Sequence, residues 1–573
     1  MTDKIRLDTR ISISGIIAIG MDWETGKGGF SLYLEKITSP ADIKGYTAEQ
    51  RRALAQEMRE VLLKRASIHG GHFGPDFGAV EAIIALHTVF DSPTDKIVYD
   101  VSHQSYPHKM LTGRAAAYLD PAHYGEVSGF TNTEESPYDH FNIGHTSTSI
   151  SLATGLAKAR DLAGRSENVI AFIGDGALSG GEALEGLNVA GEMRSNLIII
   201  LNDNDWSISE NHGGMYEMLR RLRETNGTAA DNLFRAMGLD YRYVADGNDT
   251  EALIAAFAAV KDSQKPVVIH IHTQKGKGLS FAEDDPEDWH RHAPFHTESG
   301  AVKHPSSPDP CLAATIDFVL AEAKRNPNFV YLSAGIVGGI GLTPAERAEL
   351  GAQYVDVGIA EEHAVAMASG LARGGARPVF GTYSTFYQRT YDQMAQDVCI
   401  NRSPAVFLVT GASLYRSTDV THLGFYDISI FSHVPNLVFL APTSIEEHLA
   451  VLRWAIAQTE HPVMIRTPLG GYAESPYPVR ADYSALHRSI VVTEGAEVAL
   501  IGVGNFAALA TAAAEELARD GIHATVVNPL YLSGLDEALL TRLKEKHRLI
   551  VTVEDGILAG GFGQKVSSFY GEK

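Results

Sequence analysis

Two short strings place an oxygen-bearing side chain at the end of an apolar run. Asp175 lies in Gly174-Asp175-Gly176 after the apolar residues 169–173, and Asn204 lies in Asn202-Asp203-Asn204 after residues 197–201. Twenty-nine positions separate Asp175 from Asn204, with an amphipathic stretch between them. A hard cation takes oxygen ligands, and Mg²⁺ is commonly shared between a carboxylate and phosphate oxygens. The flanking glycines let the backbone approach a diphosphate closely. A lone Gly-Asp-Gly would be no more than a glycine-rich turn; the second strand-end string at this distance counts against that plainer reading.

A second string, VDVGIAEEH, runs from an apolar segment through Gly358 into a helix that carries Glu361 in its first turn. Acidic residues there complement a helix dipole. A carboxyl buried at the same place has its pKa raised and keeps its proton near neutral pH, as acid–base chemistry needs. Four histidines sit beside small or turn residues: His72 in GGHFG, His103 in DVSHQSYPHK, His145 in IGHTSTS and His422 in DVTHLG. Their spacing is unlike that of zinc ligands. Together they suggest a basic, hydrogen-bonding funnel for a carboxylate or phosphate substrate. In YSTFYQR, Phe386 is either core or a face on which a ring stacks, and Arg389 is either a surface cation or a ligand for an anionic group, with Tyr383 beside them.

These residues need a scaffold that brings strand ends together. A strand–helix–strand unit of the length seen between Asp175 and Asn204 makes the strands parallel and puts both ends at one sheet edge, where ligands of open α/β sheets bind. Thr47-x-x-Gln50 reads as a capping box, and Leu54, Met58, Val61 and Leu62 follow with helical spacing. Strand–helix alternation continues to about residue 273, and the polar, proline-containing residues 296–310 read as a linker. A second α/β run spans 311–480, with strands near 406–409, 437–440 and 463–465. A third starts near 497, with strands at 524–527 and 549–553, and is short enough that final elements are expected to be absent. The predicted units are 1–300, 311–480 and 488–573. Residues 1 to about 40, rich in Gly and Ile, read as a hairpin or an arm over a partner subunit.

The 573 residues are 45% apolar and 21% charged, ordinary for a globular protein, with room for several domains. A net charge of −22 disfavours nucleic acid or an anionic membrane as partner and means that an anionic cofactor must be held by local cations, N–H groups or a metal. Cys311 and Cys399 are far apart and offer no disulfide framework, so a reducing cytoplasm is expected. No apolar run has transmembrane length, and residues 11–21 lack a signal-peptide layout.

Gly-Asp-Gly followed by Asn-Asp-Asn resembles the thiamine-diphosphate fingerprint of transketolase-like enzymes. From about residue 38 to 573 the chain resembles the 1-deoxy-D-xylulose-5-phosphate synthases in GGHFG, DVSHQSYPHKMLTGR, GHTSTSIS, GDGALSGG, LNDNDWSIS, IAEEHAV, YSTFYQRTYDQ and VTVEDGILAGGFG. GHTSTS and DVSHQSYPHK set that branch apart from ordinary transketolases. The resemblance implies three α/β domains of transketolase type, each a mainly parallel sheet flanked by helices, in a homodimer whose site lies between the first two domains of one chain. It implies thiamine diphosphate and Mg²⁺, decarboxylation of pyruvate, and addition of the two-carbon unit to D-glyceraldehyde 3-phosphate. Carried over, Asp175, Asn204 and the Trp206 carbonyl would bind Mg²⁺. His103, His145, Thr146, Ser147, Gly176, Ala177 and Lys275 would contact the cofactor. Glu361 would activate its aminopyrimidine ring and Phe386 would stack on it. His72, His145, His292, Tyr383, Arg389 and His422 would line the substrate site.

The resemblance breaks on the acceptor side. An Asp-Arg-Ala-Gly run of the synthases is here Thr410-Gly411-Ala412-Ser413, and Arg-Tyr-Pro-Arg-Gly is here Arg466-Thr467-Pro468-Leu469-Gly470. In place of Asp-Gly-Gln-Thr-His stands Thr418-Asp419-Val420-Thr421-His422, with the Asp moved by one. Two phosphate-side arginines are thus Gly411 and Leu469, and the phosphate is expected to meet Arg389, Arg466 and the new Arg416. The alternatives are a sister enzyme with another acceptor aldehyde, a transketolase with a ketose donor, and a non-catalytic thiamine-diphosphate-binding regulatory protein. The intact Asp175, Asn204 and Glu361 weigh against the last.

Overall fold

Runs dominated by Val, Ile and Leu form mainly parallel sheets with helices on both faces, because strands buried on both sides must be apolar throughout. The computed structural model describes residues 33–571 apart from 306, 308, 337–340, 415–418 and 473–476. The first sheet holds β1 (Lys96–Tyr99), β2 (Val169–Gly174), β3 (Ile198–Asp203), β4 (Asp240–Val244) and β5 (Val267–His272), in the order β1-β2-β3-β5-β4 and all parallel. Side chains alternate between its faces. Ile170, Phe172, Ile198 and Ile200 pack towards α1 (Ala48–His69) and α2 (Gly74–Val89). Ala171, Ile173, Ile199 and Leu201 pack towards α3 (Ser149–Leu162) and α4 (Gly181–Glu192). The expected capping box opens α1: Thr47 accepts from Gln50 N, and the Gln50 side chain accepts from Thr47 N. Gly174 is paired with Asn202, so β2 and β3 end level and deliver Asp175 and Asn204 to one edge.

The second sheet holds β6 (Phe329–Ser333), β7 (Tyr354–Asp356), β8 (Arg377–Tyr383), β9 (Val406–Ala412), β10 (Val438–Leu440) and β11 (Val463–Pro468), in the order β10-β11-β9-β8-β6-β7 and all parallel. Helices α5 (Pro310–Arg325), α6 (Glu361–Arg373) and α7 (Ile445–Ala457) accompany it. The third sheet, β12 (Ile490–Thr493), β13 (Glu497–Gly502), β14 (Thr525–Asn528) and β15 (His547–Val553), runs β12-β14-β13-β15 with only β12 antiparallel. It is joined to β10 by backbone bonds from Ala441 to Leu530 and from Leu532 to Phe439.

Two local expectations change. Residues 33–43 are neither a hairpin nor an arm: they form two 3-10 turns, Leu34–Lys36 and Pro40–Ile43, with Leu34 and Ile43 buried. Glu57 on α1 holds the first turn by accepting from the Tyr33 and Leu34 N–H groups; the rest of that N-terminal expectation lies outside the described residues. The linker string starts just after fully buried Phe295 and opens with an ordered turn, residues 294–303 being closed by His296–Ala301 and Lys303–Pro294 backbone bonds. Asp309 then caps α5.

Candidate active site

The ends of the first and second sheets face each other across a cleft within one chain. Ile359 N donates to Ser179 Oγ (3.2 Å), His145 Nε2 meets Thr385 Oγ1 (2.8 Å), and Arg389 donates to the Thr146 hydroxyl (3.1 Å) and carbonyl. On the first side Asp175 begins the short helix after β2 and is buried, its Oδ2 accepting from Asn211 (2.7 Å). Burial and the neighbouring Asp203 push its carboxyl well above the usual range. A Cβ at Gly176 would stand 2.9 Å from Ser207 Oγ, so this backbone approaches its neighbour as only glycine can. The Ser207 carbonyl accepts from Lys275 Nζ (2.6 Å), and burial pushes that ammonium down to about 7. Asn204 Oδ1 accepts from Trp206 N (3.2 Å), which folds the strand end into a turn.

The loop of His145, Thr146 and Ser147 is pinned by a residue to which the sequence patterns assign no role. Buried Asp100, just beyond β1, accepts from the N–H groups of Ser147 (2.6 Å) and Ser149 (2.8 Å). Ser147 adopts φ 75° and donates to the Ala177 carbonyl (2.7 Å). Asp203 was also missed as a support. Burial pushes its carboxyl up, but His270 (2.7 Å) and Arg223 (2.6 Å) hold it down at about 2. Both carboxyls stand inside quoted strings, Asp100 in DVSHQSYPHK and Asp203 in Asn202-Asp203-Asn204, but their supporting roles depend on partners distant in sequence.

On the second side Gly358, at φ 74°, turns the chain from β7 into α6, whose first residue is Glu361. Glu361 is 1% exposed, and its Oε2 has no hydrogen-bond partner among the described residues. Burial pushes its carboxyl up to about 7, against the pull of Arg389, whose Nη1 lies 4.0 Å from Oε2. Arg389, expected to bind substrate, thus ties the Thr146 loop to the Glu361 helix. Phe386 stands 5.1 Å from the His145 ring and 5.7 Å from His422, with Tyr383 at 6.3 Å (centroid distances).

The cleft gathers the four histidines. His72 lies 4.9 Å from His103, Phe130 bridges His72 (5.6 Å) and His422 (5.0 Å), and His145 lies 5.6 Å from His422. They do not form a basic funnel as a set. Burial holds His72 well below the ordinary imidazole value and brings His103 and His145 down to about 4, so these three are neutral at neutral pH. His292 is a correction. Its ring lies flat on Trp289 (4.2 Å) and meets Phe295, while His290 packs against His72 (5.7 Å) and His103 (5.2 Å) in the cleft. Arg466 is a second correction: it is 1% exposed and bonded to Asp427 and Asp555, both at 2.6 Å, so it does not face a substrate. Arg416 lies outside the described residues.

The residues present fit thiamine diphosphate: a buried carboxyl oxygen without a partner lies on the same side of the cleft as an aromatic face, opposite a glycine-tight turn with a carboxylate and a lysine. A cleft so placed, at the ends of parallel strands, is where open α/β sheets bind their ligands. The family model described as 1-deoxy-D-xylulose-5-phosphate synthase matches residues 34–230 and 225–273. The transketolase pyrimidine-binding domain matches 313–473 and the transketolase C-terminal domain 488–573. The 1-deoxy-D-xylulose-5-phosphate synthase of Thermomicrobium roseum is 40% identical over 574 residues, covering 93% of this chain and 90% of its own. That of Desulfitobacterium hafniense is 38% identical over 579 residues, covering 94% and 91%. The chain belongs to the 1-deoxy-D-xylulose-5-phosphate synthase family and is a transketolase-like transferase.

Proposed function

We propose that the chain decarboxylates pyruvate and joins the two-carbon unit to D-glyceraldehyde 3-phosphate, giving 1-deoxy-D-xylulose 5-phosphate and CO₂, with thiamine diphosphate and Mg²⁺ bound. The observation that carries this reading is the buried Glu361 carboxyl with one unpartnered oxygen, in a chain so similar to named synthases. Asp175, Asn204 and the Trp206 carbonyl hold the metal. Gly176, Ala177, His103, His145, Thr146, Ser147 and Lys275 hold the cofactor, with Phe386 against its ring. The bound cofactor supplies the electron sink for loss of CO₂ from a 2-oxo acid. Glu361, with a value near 7, holds a proton at the aminopyrimidine side. Neutral His72, His103 and His290 donate and accept hydrogen bonds without adding charge, and the buried walls keep water from the reacting carbon.

We read the chain as three units, 1–300, 311–480 and 488–573, each built on one sheet, the first two supplying the site. A homodimer is favoured by large apolar side chains left on the surface, with Tyr391 42%, Ile400 65% and Leu558 87% exposed. The two cysteines, free and buried, favour a cytoplasmic setting. The deciding experiment is product analysis by mass spectrometry with pyruvate and a panel of aldehydes. The expected products are CO₂ and 1-deoxy-D-xylulose 5-phosphate; faster turnover of xylulose 5-phosphate as donor would make the chain a transketolase. Asp175→Ala, or excess chelator on the wild type, should abolish cofactor retention.

A further inference from the structure

The Arg291 guanidinium is a cation that neither the motifs nor the family resemblance singles out. It sits in the short strand Arg291–His292, which pairs antiparallel with Gly71–His72, and its direct cross-strand neighbour is His72. Residues directly opposite in such a pair stand on the same face, and successive residues of a strand point to opposite faces. Arg291 therefore shares the face of His72, whose ring packs on His103 and His290 in the cleft. His292 takes the other face, on Trp289. The charge of Arg291 acts on His72 and His290 from one wall and on Tyr383 from the other, so it overlooks the cleft. It is exposed, and among the described residues it makes no ion pair.

Among the described residues, the cations expected at this site are engaged: Arg389 with Thr146, Lys275 with the Ser207 carbonyl, and Arg466, away from the cleft, with two buried aspartates. Position 411 cannot supply a replacement. Gly411 has φ 65°, and the Tyr383 ring lies 2.8 Å from where a Cβ would stand. Position 469 is an exposed leucine.

We infer that Arg291 binds the phosphate of the acceptor aldehyde at the rim of the cleft. This rests on the reaction proposed above. The phosphate is borne by the carbon farthest from the reacting carbonyl, so it projects outwards while the donor sits deeper, against His145 and Phe386. A guanidinium offers a phosphate two parallel N–H bonds, and at an exposed position neither ion is fully stripped of water.

The test compares Arg291→Met and Arg291→Lys with the wild type in two ways. The first is the ratio of kcat/KM for D-glyceraldehyde 3-phosphate to that for D-glyceraldehyde. The second is calorimetric binding of D-glyceraldehyde 3-phosphate and of inorganic phosphate without pyruvate. Arg291→Met should lower the ratio and weaken both phosphates about ten- to a hundred-fold, the effect of one charged hydrogen bond, and Arg291→Lys should recover part of it. An unchanged ratio, an equal loss with both aldehydes, or a rise confined to the KM for pyruvate would each overturn the assignment. If the wild type forms no product from pyruvate yet Arg291→Met still weakens phosphate binding, the reaction assignment falls and the anion site stands.

Discussion

A carboxyl oxygen without a partner is costly in a protein interior, because burial removes its water and returns nothing. Glu361 keeps such an oxygen beside Arg389, and burial wins over the nearby charge, leaving the carboxyl at about 7 rather than 4.5. Its folded value is raised, so the folded state binds the extra proton. The associated stability is complete below pH 4.5 and is lost as the pH rises through 7. Thermal unfolding of cofactor-free protein should show the wild type losing on the order of 3 kcal/mol relative to Glu361→Gln between pH 4.5 and 8. A parallel pH dependence of the two proteins would show that Glu361 does not carry this proton. In the assembled enzyme, the same substitution should leave cofactor affinity within a few-fold and lower kcat by several orders of magnitude, since the contact serves the activation step more than ground-state binding. If kcat falls less than ten-fold, Glu362 becomes the candidate.

At the scale of elements, the cleft depends on loops held by side chains from elsewhere. Asp100 fixes the start of α3 by accepting from Ser147 and Ser149, 47 and 49 positions away, which makes the strained φ of Ser147 tenable. Ser147 in turn fills the space that a side chain at Gly180 would need. Asp100→Ala leaves two buried N–H groups unpaired at about 1–3 kcal/mol each. Its unfolding midpoint should fall, and its cofactor Kd, followed by quenching of Trp206, should rise at least ten-fold. Asp100→Asn retains one acceptor and should fall between. Cofactor affinity equal to wild type in Asp100→Ala would show that the bonds of the loop to Arg389, Thr385 and Ala177 hold it without Asp100. The two-residue pairing of Gly71–His72 with Arg291–His292 is a second such element, since its alternation decides which side chain enters the cleft.

Across the whole molecule, the second and third sheets are locked by a buried charge cluster. Arg466 at the end of β11 bonds Asp427 and Asp555, 39 and 89 positions away, and Asp555 follows β15. Removing one member strands the opposite charges, which typically costs about 3–5 kcal/mol. Arg466→Met should therefore lower the unfolding midpoint in urea markedly while leaving the preference for a phosphorylated over a free aldehyde unchanged. A lost preference with normal stability would return Arg466 to the substrate. The proposed homodimer is tested at exposed Leu558: Leu558→Asp should shift sedimentation from dimer to monomer, and a wild-type monomer at working concentration would remove the dimer from the proposal.

Local pattern was enough for the parallel sheets, for the strand ends at Asp175 and Asn204, for the capping box at Thr47 and for the helix that starts at Glu361. Each of these depends on neighbours within a strand or a turn, so composition and spacing carry the signal. Tertiary structure alone decided that Arg291 shares the face of His72 while His292 lies on Trp289, and that His290, in the turn before this strand, packs on His72 and His103. A shift of one residue along a strand reverses a face, and only pairing with Gly71–His72 sets the register of Arg291 and His292. It also decided that Arg466 is structural and that Asp100 and Asp203 support the site. A buried charge takes its role from partners brought up from distant parts of the chain, and no string around it records which partners arrive.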